Sequence, residues 1–351
     1  MAMTKPFEPR GVWPALATPF TDDGTLDMEA YERLLEFAIA GGVTGVVPCG
    51  TTGESPTLSW EEHEALVGAA IRVAAGKVGV LAGTGSNNTQ EAIRGTDDAR
   101  KAGASAALLV DCYYNGPSSL ELRRDYYERV LKAVPEIPLV PYVIPGRSGC
   151  ALGAEDLAML HLNDPARVPA VKQATGDLDR MRYDRTLCGE GLAIMSGDDD
   201  LTLDMMNDRG IRASGVISVM ANLVPGALSS MVEARAAGDV KRAGEIGNEV
   251  GPLLKIVGVR SRSVRVLPDG RELQVEDKFR NPVPLKTMMA GLGMMGTYCR
   301  RPLGPMTPAA VEVCRDALRA VWEAAPEHLR PIEEAYGVSV PERVADDRFW
   351  T

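Results

Sequence analysis

Eight short apolar runs recur along the first two thirds of the chain, separated by longer stretches of helical character, and this alternation constrains the fold more than any other feature. The runs start at Val12 (VWPALATPF), Val43 (VTGVVPCG), Val78 (VGVLAGTG), Ala104 (ASAALLVD), Pro138 (PLVPYVI), Val168 (VPAVKQA), Leu192 (LAIMSGD) and Ala213 (ASGVISV). Most are nearly continuous in apolar residues, as strands buried on both faces of a parallel sheet must be. Helical segments lie between them. Ser59 with Glu62 three residues on forms a capping box, and Thr89-Gln90-Glu91 opens another helix. Eight such β-then-α units predict an α/β fold of the TIM (β/α)8 barrel type over residues 1–224. The competing doubly wound sheet often carries G-x-G-x-x-G after its first strand, and ATPFTDDG lacks it. Helical pattern dominates from about Pro225 to Ile256 and from Pro284 to Ala335, so residues 225–351 are expected to form a C-terminal helical domain. SVRVLPDGRELQV, from Ser263, predicts a β-hairpin insertion near residues 263–275, with Pro268-Asp269-Gly270 as its turn. The C-terminal extension after Ala324 is rich in proline and charge and reads as a peripheral arm.

The composition removes several functions. The formal net charge is −10, a surface that repels nucleic acid. No apolar run approaches the ~20 residues of a membrane span. The first residues show no apolar stretch of signal-peptide length, which predicts a cytoplasmic protein. Six scattered cysteines without C-x-x-C pairs and three distant histidines predict neither a zinc site nor any other metal centre.

In a parallel barrel, chemistry sits at the C-terminal ends of the strands. Lys172 lies inside the apolar run Val168-Pro169-Ala170-Val171, where a buried ammonium is costly and the neutral amine is favoured. Such an amine can attack a ketone and form an iminium. The same lysine could instead snorkel to solvent or pair with an acid. Tyr142, Thr52 and Tyr114 offer hydroxyls for a proton relay, although tyrosines at strand ends also serve as packing residues. The Gly50-Thr51-Thr52-Gly53 turn, where a helix is expected to begin, offers backbone N–H groups and hydroxyls that suit a carboxylate, or is only a tight βα loop. Arg147 can hold a second carboxylate, or lie solvated in its loop.

Taken in order, GTTGESPTL from Gly50, DCYYNGPS from Asp111, YVIPGRSG from Tyr142, VKQATGDL from Val171, SGDDDLTL from Ser196, GVISVMANLVP from Gly215 and FRNPVPLKTMM from Phe279 resemble the dihydrodipicolinate synthase and N-acetylneuraminate lyase superfamily. The resemblance runs from about Gly11 to Leu318 and is nearest to the synthases. It implies a lyase of the class I aldolase type that joins pyruvate to L-aspartate 4-semialdehyde, giving 4-hydroxy-tetrahydrodipicolinate for lysine biosynthesis. No cofactor is implied beyond the covalent Lys172–pyruvate Schiff base. Lys172 would be the Schiff-base lysine, Tyr142 its proton-transferring neighbour, Thr52 the relay threonine and Tyr114 a relay tyrosine reaching into a neighbouring subunit. Thr51 and Thr52 would bind the pyruvate carboxylate, Gly197 and Ile217 would line the site, and Arg147 would take the acceptor carboxylate. A lysine effector would sit among Ser55, Pro56, Trp60, His63, Asn87, Glu91 and Tyr113. The resemblance also implies a homotetramer built as a dimer of dimers.

The chain departs from the synthases at Val143-Ile144, Gly146 and Pro56, in the hairpin and in the tail. A paralogous pyruvate-dependent aldolase or dehydratase acting on another 2-keto acid therefore remains an alternative. So does a catalytically silent sensor that retains only the effector pocket.

Overall fold

The computed structural model describes residues 5–296 and 299–350. Residues 1–4 and 351, the outer ends of the two ranges assigned from sequence, lie outside them. Eight strands form one parallel sheet: β1 (Gly11–Pro14), β2 (Gly45–Val46), β3 (Gly79–Gly83), β4 (Ala106–Val110), β5 (Leu139–Val143), β6 (Ala170–Gln173), β7 (Ala193–Ser196) and β8 (Gly215–Ser218). Seven fall within the apolar runs, and β1 starts one residue before the run from Val12. Their order is β1-β8-β7-β6-β5-β4-β3-β2, and a parallel bridge between Ala15 and Val47 joins the two ends. The result is the expected TIM barrel, with helices between successive strands.

Alternation within each strand separates two apolar layers. Trp13, Ala15, Val47, Leu81, Leu108, Val140, Tyr142, Met195 and Ile217 fill the barrel interior. Side chains such as Val12, Val46, Val80, Val171 and Val216 face outward and join the helices in a second cluster. The Trp13 indole fits because Gly45 and Gly79 lie beside it; a Cβ at Gly45 would come within 2.0 Å of the ring.

Helices Pro225–Ala236, Val240–Leu254, Val283–Gly291 and Pro308–Ala324 follow the barrel. The helical pattern anticipated from Pro284 to Ala335 is interrupted after Gly291, and helix resumes only at Pro308. The tail differs from the peripheral arm anticipated for it. Helices Arg330–Tyr336 and Val340–Ala345 bury Leu329, Ile332, Val340 and Val344 in the outer apolar cluster. Trp350 donates its indole N–H to Arg343 O at 2.7 Å and packs where Gly291 leaves room. Leu329 and Ile332 are three residues apart and Val340 and Val344 four, with eight between the two pairs, too sparse among charges and prolines to stand out.

The hairpin is longer than the segment near 263–275. Strand β9 (Gly258–Val266) pairs with β10 (Glu272–Arg280), and Gly270 takes a φ of +86° in the turn. Val259 and Ser261 are buried, while Val264, Val266 and Leu273 toward the turn are exposed. Among the described residues no helix is long and apolar enough to cross a membrane.

Candidate active site

Lys172 and Tyr142 are register partners on adjacent strands β6 and β5, so both side chains enter the barrel at the same height. Lys172 is only 4% exposed, and its Nζ lies 4.0 Å from the centroid of the Tyr142 ring. It makes no ion pair among the described residues. Gly197, at the end of β7, permits this placement: a Cβ there would stand 3.1 Å from Lys172 Cε and 2.7 Å from Ala174 Cβ. Ile217, on β8, belongs to the same interior cluster as Tyr142.

Thr52 is fully buried and its Oγ1 accepts a hydrogen bond from Asn281 Nδ2 at 3.0 Å. The Gly50–Gly53 turn does not open directly onto an α-helix. A 3-10 turn, Ser55–Thr57, comes first, and the helix Trp60–Ala74 starts later behind its Ser59–Glu62 capping box. A helix-terminus field on Thr51 and Thr52 is therefore absent, and any anion there would rest on local N–H and hydroxyl groups.

Thr51, Ser55, Pro56, Tyr113, Tyr142 and Arg147 line one cavity of about 180 Å³ at the barrel mouth. Arg147 sits on its rim, where Nη2 donates to Asn281 O at 2.8 Å. Burial, with a smaller push from Arg280, lowers its pKa, while Tyr142 opposes the shift. Tyr114 lies apart from this group. It is 88% exposed and adopts a φ of +77°, a conformation costly for a non-glycine residue, which directs its ring away from its own barrel.

The residues predicted for an effector divide. Ser55, Pro56 and Tyr113 belong to the mouth cavity, whereas Trp60 and His63 line a neighbouring cavity of about 260 Å³. The His63 ring stacks 4.8 Å from Trp60 and approaches Ser55 O at 3.3 Å, and burial lowers its pKa. Glu91 accepts from Ser86 Oγ at 2.7 Å. Burial first, then the nearby Glu91 carboxylate, raises the pKa of Tyr113.

The profile of the Dihydrodipicolinate synthetase family matches residues 8–321. The chain is 40% identical over 310 residues to a 4-hydroxy-tetrahydrodipicolinate synthase of Methanothrix thermoacetophila, covering 88% of this chain and 96% of that one. The chain belongs to the dihydrodipicolinate synthase family. Among solved structures, the dihydrodipicolinate synthase of Acinetobacter baumannii complexed with pyruvate superposes with a TM-score of 0.78 at 34% identity, over 90% of this chain and 99% of that one. The synthase of Cyanidioschyzon merolae with lysine bound gives 0.78 at 30% identity, over 89% and 98%.

Several residues around this synthase-family site had drawn no individual assignment from the sequence. Asp198 and Asp199 follow β7 within range of the Lys172 charge. Burial raises both carboxyls, Asp199 to about 6. Asp199 accepts from Ser218 Oγ and from Val219 N at 2.9 Å, whereas Asp198 Oδ2 is buried without a hydrogen-bond partner among the described residues. The run of three aspartates in SGDDDLTL was the available signal. Asn281 stood in the quoted FRNPVPLKTMM motif, but nothing local joins it to Thr52, 229 residues away.

Asp111 closes β4. A π-helical stretch, Leu122–Tyr127, lies between the helical segments Ser119–Glu121 and Glu128–Ala133 and turns two tyrosines toward that strand end. Tyr127 Oη donates to Asp111 Oδ1 at 2.6 Å, Leu152 N donates to Oδ2 at 3.0 Å, and Tyr126 Oη donates to Val110 O at 3.2 Å. Burial pushes the Asp111 carboxyl from 3.8 up to about 7, against these bonds. Its folded pKa thus lies above the unfolded one, so the folded state holds the extra proton between those values. The stability contributed by protonated Asp111 is lost as pH rises from about 4 to about 7. Asp111→Asn is expected to flatten the pH dependence of unfolding across that window. An unchanged slope in denaturant melts at several pH values would contradict this account.

Proposed function

We propose that this chain is a 4-hydroxy-tetrahydrodipicolinate synthase, condensing pyruvate with L-aspartate 4-semialdehyde through a Schiff base on Lys172. One observation carries the reading: a lysine almost wholly removed from water, free of any carboxylate partner among the described residues, lies against a tyrosine ring at the C-terminal end of a barrel. An amine so placed is a nucleophile rather than a structural cation.

The chemistry follows from the group. The Lys172 amine adds to C2 of pyruvate, and loss of water from the carbinolamine leaves an iminium. The iminium draws electrons from C3, which gives up a proton and becomes an enamine carbon. That carbon attacks the aldehyde, a C–C bond forms, the aldehyde oxygen takes up a proton, and the acceptor's own amine then adds to C2, closing the ring and expelling the Lys172 amine. Tyr142 stands beside the amine, Thr52 is buried next to the cavity-lining Thr51, and these hydroxyls serve the proton transfers. Asn281 occupies one lone pair of Thr52 Oγ1, leaving the hydroxyl proton available for donation. Thr51 and Thr52 bind the pyruvate carboxylate, Gly197 and Ile217 line the site, and Arg147 receives the acceptor's carboxylate. No separate cofactor takes part, because the iminium is itself the electron sink.

Tyr114 reaches into a neighbouring subunit's site, and its exposure at an unfavourable φ supports that role. The assembly is a homotetramer built as a dimer of dimers. Lysine acts as an effector among Ser55, Pro56, Trp60, His63, Asn87, Glu91 and Tyr113, with Glu91 taking its ammonium group. The lysine-bound structural neighbour supports this assignment. The acidic surface and the absence of a membrane-length apolar helix among the described residues support action in the cytoplasm.

A coupled turnover assay with pyruvate and aspartate semialdehyde, with and without lysine, tests the reading. Ping-pong kinetics and lysine inhibition are expected. Arg147→Ala should lower kcat/KM for the semialdehyde by about 10²-fold, the scale of one charge-assisted bidentate contact. Little loss with the semialdehyde, or better turnover of a sugar acid, would instead favour the paralogous aldolase.

A further inference from the structure

Two arginines from distant parts of the chain meet beside the mouth cavity, which Arg147 lines and Arg280 approaches through Gly146. Arg147 lies in the short helix Pro145–Ser148 that follows β5, and Arg280 is the last residue of β10, at the base of the hairpin. They are held reciprocally. Arg280 Nη1 donates to Gly146 O at 2.8 Å, and Arg147 Nη2 donates to Asn281 O at 2.8 Å. Each side chain therefore clasps the backbone next to the other.

Neither guanidinium makes an ion pair among the described residues, and each offers five N–H donors of which this clasp uses one. Other arginines of this acidic chain have found carboxylates: Arg300 pairs with Glu62, Arg123 with Asp156, and Arg265 on the same hairpin with Asp277. The two charges repel each other, and Arg280 is one of the groups that disfavours the charged form of Arg147. A fold that holds two like charges together without an acid stores a site for an anion. The base of the hairpin brings Arg280 to this place.

We infer that Arg280 is a second acceptor-recognition residue, which with Arg147 forms a two-guanidinium clamp for the carboxylate of an anionic aldehyde. The inference rests on the aldolase reading above and assigns the hairpin base to acceptor selection.

Arg280→Ala and Arg280→Lys, each checked for an unchanged melting temperature, test the clamp by steady-state kinetics with each substrate varied in turn. Lys278→Ala, two strand register pairs away from the hairpin base, serves as control. Arg280→Ala should raise KM for aspartate semialdehyde about tenfold. It should leave KM for pyruvate and the yield of borohydride-trapped pyruvate on Lys172 unchanged. Arg280→Lys should recover part of the loss, and Lys278→Ala should match the unmodified protein. An unchanged acceptor KM overturns the clamp, as does an equal rise in both KM values, which marks the clasp as structural support alone. If the unmodified protein traps no pyruvate and turns over no semialdehyde, the aldolase reading itself fails, and the clamp falls with it.

Discussion

Lys172→Ala is expected to lower turnover of pyruvate with aspartate semialdehyde by on the order of 10³-fold or more, the scale seen when a covalent nucleophile is removed. The loss should appear in kcat, because no iminium can form and no other described residue offers a buried amine at the same height. Lys172→Arg should do no better, since a guanidinium stays protonated and cannot add to a ketone. Lys172→Ala should remain folded, since among the described residues Lys172 makes no ion pair whose loss would leave a buried charge behind. Initial-rate kinetics beside a thermal melt read both parts. Residual activity within tenfold of the unmodified protein would remove Lys172 from the chemistry.

The largest expected effect on stability lies at a buried ion pair behind the mouth. Lys286 Nζ donates to Glu54 Oε1 at 2.5 Å and to Thr18 O at 2.9 Å, and Glu54 Oε2 accepts from Arg300 N at 2.9 Å. Both side chains are almost completely buried, and the ammonium lies 4.4 Å from the centroid of the Phe20 ring. The pair ties the end of the Gly50–Gly53 turn, at a Glu54 φ of +59°, to the helix Val283–Gly291. Lys286→Met would leave the carboxylate buried without its cation. The expected cost is about 3–5 kcal/mol, equivalent to a fall in Tm of roughly 10 °C. Glu54→Gln combined with Lys286→Met removes both charges while keeping an acceptor for Arg300 N, and should recover most of that loss. Denaturant melts of the two variants decide the matter. A loss below about 1 kcal/mol for Lys286→Met, or no recovery in the double variant, would contradict the account.

The barrel was readable because burial on both faces of a strand leaves a mark on nearly every residue, and all eight strands coincide with mostly apolar runs to within one residue. Lys172 stood out for the same reason, as one ammonium inside such a run. The tail was misread because its helices contribute only Leu329, Ile332, Val340 and Val344 to the core, amid charges. The base of the hairpin left little trace because β9 there alternates arginine with small residues and β10 carries charges around a single Phe279. The contacts that tune the site had no local trace at all. Asn281 reaches Thr52 across 229 residues and Lys286 reaches Glu54 across 232, so only barrel closure and the packing of the later helices bring them together. The π-helical stretch that aims Tyr127 at Asp111 is likewise a tertiary choice, since Leu122–Tyr127 carries no break signal such as proline or glycine.

The most direct test of the central claim is reductive trapping. The protein is incubated with pyruvate, treated with borohydride and digested, and its peptides are read by mass spectrometry. The account predicts one reduced pyruvyl adduct, on the peptide containing Lys172, that disappears in Lys172→Ala. An unmodified Lys172, or an adduct on another lysine, would contradict it.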